Sequence, residues 1–294
     1  VEFMAALMTS VIDNPPKVAE YILNCRQMGI RLLPPDINKG ESAFSVEENE
    51  STEKTGEETF KYNKSIRYGL SAIKSIGKPV IDAIVRERNQ NGIYRNFRNF
   101  VERLSGKELN KRTIENFIKA GALDGLCDNR KQLMMIYVQV VDSVNQEKKN
   151  AMAGQMSLFD FVAEEDKKDF EIRMPDVEEY DKEQLLAFEK EVLGVYISGH
   201  PLEKYEKMWQ KNISATTMDF AYQEELHGSR LFDGAEEIIG GMVEGITIKH
   251  TKNNKTMVFL TIEDLLGTVE VVVFPRQYEI YRNSITQDGK LFIQ

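Results

Sequence analysis

From Ile238 onward the hydrophobic period of this chain changes, and that change sets what the whole can fold into. Before it, apolar residues recur at helical spacing: Val18, Tyr21, Ile22 and Cys25; Ile81, Ile84 and Val85 after Pro79; Ile114, Phe117 and Ile118; then Leu133, Tyr137, Val140, Val141 and Val144. Steps of three and four place such residues on one helix face. After it, apolar and polar residues alternate over 238–250, 256–263 and 268–274, the period of strands. Asn253-Asn254 and Leu266-Gly267 supply turns, Pro275 opens a short helix, and Leu291-Phe292-Ile293 begins another strand. Two periods in two blocks mean a multidomain chain, mostly α in its N-terminal two thirds and all-β at its C-terminus.

Punctuation divides the helical block. Asn14-Pro15-Pro16 breaks residues 1–35, and Leu33-Pro34-Pro35-Asp36 ends them. Residues 45–64 are polar and low in complexity, which reads as a loop or hairpin tip. Residues 145–182 are polar and acidic around one apolar island, Met156–Val162; residues 183–210 return to a helix and a Gly199-His200-Pro201 break. No run of about 18 apolar residues exists, so no membrane span is expected. The start, Val1 to Met8, has no basic leader and is not a signal peptide; without an initiator Met, the chain is expected to begin inside a longer protein. Cys25 and Cys127 make neither a disulfide framework nor a zinc site, so a reducing, cytoplasmic compartment is expected.

Charge is uneven. The net is −9, yet residues 66–131 carry 14 Lys+Arg against 7 Asp+Glu, net +7. Residues 47–63 carry six Glu against Lys54 and Lys61, net −4, and residues 147–191 carry 14 Asp+Glu against 7 Lys+Arg, net −7. A basic module between acidic segments suits a phosphate backbone, though a solvated helical surface has the same composition.

Inside the basic module, Ile73-Lys74-Ser75-Ile76-Gly77-Lys78-Pro79 lies between helical segments. A tight turn leading into a helix N-terminus points backbone N–H groups outward, and with the helix dipole makes an anion site. Lys74 and Lys78 flank it. The stretch resembles the helix–hairpin–helix motif, which grips the DNA backbone without reading sequence. Ser75 stands where that pattern has its first Gly, and Ser resists positive φ. A looser second candidate is Phe117-Ile118-Lys119-Ala120-Gly121-Ala122-Leu123-Asp124, with Lys107, Lys111, Arg112, Arg130 and Lys131 nearby. Its phosphate-facing residues would be Lys111, Arg112, Ala120 and Gly121. Either stretch alone also fits an ordinary packing corner between helices.

Gln155-Met156-Ser157-Leu158-Phe159 sits in the acidic stretch. It resembles the bacterial sliding-clamp-binding motif, Gln-Leu-Ser/Asp-Leu-Phe. Gln155 would meet a polar notch, while Leu158 and Phe159 would fill an apolar pocket at roughly 2 kcal/mol each. Met156 replaces the commoner Leu, a tolerable exchange for a flexible side chain. The other reading is an apolar patch docked on its own domain.

Strand, strand, strand, helix, strand over 238–294 resembles an OB-fold, a Greek-key barrel that binds single strands on one face. Lys249, Lys252 and Lys255 surround its first loop; Phe259 and Phe274 either stack on bases or fill the barrel. A fifth strand is missing before Gln294, so the barrel is expected to be incomplete. No catalytic site is read: there is no Asp-x-Asp pair in an apolar strand, no P-loop and no His or Cys at metal spacing. Glu263-Asp264 reads as a turn and His200 as structural.

Taken in order, these pieces resemble the bacterial DNA polymerase III alpha subunit, DnaE type. The markers are Glu2-Phe3-Met4-Ala5-Ala6, Leu33-Pro34-Pro35-Asp36-Ile37-Asn38, Tyr68-Gly69-Leu70, Ala72-Ile73-Lys74, Gly121-Ala122-Leu123-Asp124, Gln155–Phe159 and Leu193-Gly194-Val195-Tyr196-Ile197-Ser198-Gly199-His200-Pro201-Leu202, then the strands. The order separates it from the PolC type, whose OB-fold lies near the N-terminus. The resemblance implies an end of the fingers over 1–64, a clamp-binding tandem helix–hairpin–helix domain over 65–182, a helical connector over 183–235 and a truncated OB-fold over 236–294. It implies a parent DNA-directed DNA polymerase using Mg²⁺, whose palm lies outside this chain, and no cofactor within it. The implied partners are duplex DNA, single-stranded template, the sliding clamp and the rest of the polymerase III holoenzyme, in the nucleoid. A repair or recombination scaffold also combines hairpins and OB-folds. So does a ligase accessory region, but with the barrel first and commonly a Cys₄ zinc site.

Overall fold

The computed structural model describes residues 1–48, 62–104, 109–152, 173–221, 228–252 and 254–294. By packing, these fall into two units, Val1–Ser198 and Gly199–Gln294.

The first unit opens with α1 (Glu2–Ser10) and α2 (Pro15–Gln27). The Asn14-Pro15-Pro16 break is the cap of α2: the Asn14 side chain accepts from Lys17 N, and the prolines occupy first-turn positions whose N–H would be orphaned anyway. Helix α2 stops earlier than the prolines at 34–35 suggest, at left-handed Gly29, and the chain enters a small sheet. In it β1 (Arg31–Leu33) runs parallel to β3 (Lys64–Arg67), and β2 (Ser45–Glu48) pairs antiparallel with β3 from the other side. This sheet corrects the reading of residues 1–35 as helical throughout; of the two readings of residues 45–64, loop or hairpin tip, the antiparallel pairing of β2 with β3 fits the hairpin. Its central strand is what the fold needs there, because Ser65, Ile66 and Arg67 are all buried.

Four helices complete the unit's core: α3 (Lys78–Asn91), α4 (Phe97–Leu104), α5 (Lys111–Ala120) and α6 (Arg130–Met152). Phe100 lies at their centre, edge-on to Tyr94 at 5.1 Å and to Phe117 at 6.3 Å. Helix α7 (Lys182–Leu193) closes the unit; the Asp181 side chain caps its start by accepting from Gln184 N at 2.7 Å, and left-handed Gly194 ends it.

The second unit begins with α8 (Glu206–Asn212) and continues into a curled antiparallel sheet of order β6–β5–β4–β7. The strands are β4 (Ile239–His250), β5 (Thr256–Glu263), β6 (Thr268–Val273) and β7 (Lys290–Ile293), with α9 (Pro275–Tyr281) between the last two. The boundaries agree closely with the period-two segments of the sequence. A register shift between Val243 and Gly245 bends β4, so residues 239–242 pair with β7 while residues 242–250 pair with β5. The result is a half-barrel consistent with an incomplete OB-fold, filled by Ile239, Val243, Val258, Leu260 and Ile262. Asp264 is buried in the turn after β5, accepting from Thr217 N, Leu266 N and Gly267 N. His200 Nδ1 accepts from Leu202 N at 3.1 Å. Both contacts tie local turns of this unit together.

Candidate nucleic-acid interface

The first hairpin alternates between anchors and exposed groups. Ile73 is buried and Ile76 packs on the same core, while Lys74, Ser75, Gly77 and Lys78 face out. A single 3₁₀ turn, Leu70–Ala72, precedes it and α3 follows. Ser75 adopts φ +61°, the left-handed conformation its position in the motif demands. The residue before it is held at both its N–H and its carbonyl. Lys74 N donates to Val192 O at 2.8 Å, and the buried Asn116 donates its Nδ2 to Lys74 O at 3.0 Å. Left-handed Gly194, at φ +82°, leaves room for the Lys74 stem, whose Nζ lies 3.4 Å from where a Cβ would stand. The amides of Ser75, Ile76, Gly77 and Lys78 find no acceptor among the described residues. Four successive amides without an acceptor at a helix start are donors of the kind that take up an anionic oxygen.

Beneath this hairpin lies a depression of about 630 Å³. Helix α5 builds one wall by its own periodicity. Ile114, Phe117 and Ile118 turn inward, which leaves Lys111, Arg112, Glu115 and Lys119 along the opposite face. Tyr137 of α6 and Glu191 and Val192 of α7 complete the wall. Lys111 pairs with Asp142 at 2.8 Å. Lys119 pairs with Glu115 at 3.0 Å and Glu191 at 2.8 Å; burial pulls its ammonium down, but those two carboxylates outweigh burial and raise its pKa. The side chains of Lys74, Lys78 and Arg112 make no ion pair among the described residues. Sequence spacing brought Lys74, Lys111 and Arg112 to notice. It missed Asn116, Lys119, Tyr137 and Glu191 as neighbours, because α7 joins them only through the fold.

The second candidate hairpin is built differently. Ala120 and Gly121 are buried, and Gly121, at φ +76°, is the left-handed cap of α5. Its N–H donates to Ile118 O and that of Ala122 to Phe117 O, so these amides already have acceptors. Arg130 lies directly against Gly121 and binds Asp124 through two N–H donors, at 2.8 and 2.7 Å. Gly121 is therefore required for packing under Arg130, and the motif's free amides belong to the first hairpin.

On the half-barrel, Phe259 faces away from Val258 and Leu260, and the Lys249 ammonium stands 4.3 Å from its ring centroid. Thr247 and Val272 flank it across the strands. Lys252 and Lys255 are exposed, and Phe274 is 60% exposed ahead of α9. Neither Phe fills the barrel. Gln155 to Phe159 lie outside the described residues. Among the described residues no group of three or more His, Cys, Asp or Glu could hold a metal ion, and no helix is long and apolar enough to cross a membrane.

A family model described as a helix-hairpin-helix motif matches residues 29–133. The chain is 34% identical over 97% of its length to DNA polymerase III subunit alpha of Borreliella burgdorferi. It is 33% identical over 100% of its length to that of Saccharopolyspora erythraea, and 32% identical over 100% to that of Thermus aquaticus. It spans 23%, 23% and 22% of those relatives. From end to end, the chain is homologous to a C-terminal segment of DNA polymerase III subunit alpha.

Proposed function

We propose that this chain positions a replicative DNA-directed DNA polymerase on its substrate. In this reading the parent protein transfers nucleotides with Mg²⁺, for which no ligand is assigned in this chain, and the chain itself is not catalytic alone. The first hairpin holds duplex DNA by its phosphates. The Phe259–Lys249 face of the half-barrel guides single-stranded template, since an aromatic face stacks on any base once the ammonium over it turns to a phosphate. Gln155–Phe159 tethers the enzyme to the sliding clamp within the polymerase III holoenzyme, and tethering raises effective concentration at the primer end, hence processivity. The division into 1–64, 65–182, 183–235 and 236–294, and the nucleoid as the place of action, belong to the same proposal.

The observation that carries the reading is the run of free amides from Ser75 to Lys78, flanked by two lysines without ion pairs among the described residues. Replacing both lysines, Lys74→Ala/Lys78→Ala, is expected to lower affinity for a short duplex several-fold and to reduce the salt slope of binding by about 2. An unchanged slope removes the hairpin from the DNA contact. The clamp tether is tested by calorimetry against a bacterial sliding clamp beside a Leu158→Ala/Phe159→Ala variant. Binding lost in the variant supports the tether, and equal binding by both assigns the island to another role.

A further inference from the structure

The depression beneath the hairpin contains its own anions. Glu115 of α5 and Glu191 of α7 approach one ammonium, Lys119, from two different helices. Their oxygens lie 3.0 and 2.8 Å from Nζ, where phosphate oxygens of a bound backbone would lie. Lys119 is only 15% exposed and therefore stays in place, whereas Glu191 is 56% exposed and free to swing into water. One cation thus meets two carboxylates, Glu115 as an i,i+4 partner on its own helix and Glu191 brought to it by α7.

We propose that Glu115 and Glu191 are internal stand-ins for DNA phosphates, which keep Lys119 aligned in the free protein and hold down its affinity for duplex DNA. The inference rests on the reading of this depression as a DNA grip. A backbone phosphate reaching Lys119 must displace a carboxylate already on the chain. That exchange releases no mobile counterion from Lys119, so the salt slope is smaller than the number of lining cations. The grip then stays weak enough for duplex to pass through it.

The test is a salt titration of the 294-residue chain on a short fluorescent duplex, between about 50 and 200 mM. The variant Glu115→Gln/Glu191→Gln is expected to bind ~3- to 5-fold tighter at the lower salt and to steepen the slope by about 1. Adding Lys119→Ala in that background should abolish both gains, while Lys119→Ala in the wild-type chain should cost little. A slope unchanged by the glutamine pair overturns the inference. So does a gain that survives Lys119→Ala, which would be a general effect of removing negative charge. Wild-type affinity insensitive to Lys74→Ala and Arg112→Ala takes the DNA grip itself out of this depression. Sensitivity there with no response to the glutamines leaves the grip standing and removes only the stand-ins. Thermal melts of each variant check folding, which amide-for-carboxylate exchange at half-exposed sites should preserve.

Discussion

Ser75 holds the first hairpin in a conformation that an L side chain resists. Its φ of +61° costs about 1–2 kcal/mol relative to a right-handed residue, and Gly would carry no such strain. Gly in turn loses more freedom on folding, by about 0.5–1 kcal/mol, so the two effects partly cancel. Replacing Ser75 by Gly is therefore expected to raise unfolding stability by about 0.5–1 kcal/mol. Denaturant titration checks it through the midpoint at unchanged slope. The substitution should leave duplex affinity nearly unaltered, since the free amides of Ile76, Gly77 and Lys78 stay where they are. A drop in stability would show that the Ser75 hydroxyl does something the hairpin needs. The deviation was visible in the sequence as a Ser in a Gly position. What could not be read there is that the backbone keeps the left-handed turn regardless, because the bonds from Lys74 to Val192 and Asn116 fix it from outside the motif.

Helix α5 works as a two-sided element. Its apolar stripe fixes it in the core and its charged stripe faces the depression, with Asn116 buried at the seam. Asn116 lines the depression and holds the carbonyl of Lys74. Asn116→Ala is expected to cost about 1–3 kcal/mol of stability, the price of a buried acceptor left unmade. It should also weaken duplex binding several-fold without changing the salt slope, because no charge is lost but the hairpin is no longer held in register. Unchanged affinity at reduced stability would make Asn116 a packing residue alone. Elements of this length were legible because the period has room to repeat: α5 shows three apolar positions on one stripe, and β4, β5 and β6 run long enough for alternation to be unmistakable. The sheet of β1, β2 and β3 was not, since strands of three or four residues give hardly one repeat, and β3 is buried on both faces. The second hairpin was misleading for a related reason. Gly after a helix fits both a phosphate nest and a left-handed cap, and only Arg130, nine residues on, decides for the cap.

The molecule as a whole carries two hydrophobic cores that share no residue. The larger runs from Met4 to Val195 and includes the hairpin anchors Ile73 and Ile76. The smaller consists of a few side chains inside the half-barrel, with Leu260 and Ile262 nearly free of solvent. A domain's net stability is only about 5–15 kcal/mol, and removing a buried Leu side chain commonly takes about 2–5 of it. A core this small has few neighbours to collapse into the hole. Leu260→Ala is therefore expected to lower the melting of the half-barrel selectively, so that calorimetry resolves an early transition ahead of an unshifted later one. Hydrogen exchange should place the early loss in β4 and β5 and leave α3 and α5 protected. Between the two transitions the chain should still bind duplex DNA with the wild-type salt slope, because every residue of the first hairpin and of the depression beneath it belongs to the larger core's unit. Binding of single strands should be lost with the first transition, since Phe259 and Lys249 depend on β4 and β5 remaining paired. A single concerted transition, with both kinds of binding disappearing together, would mean that the cores are energetically joined despite their separate packing, and the duplex grip and the single-strand face would then have to be treated as one device.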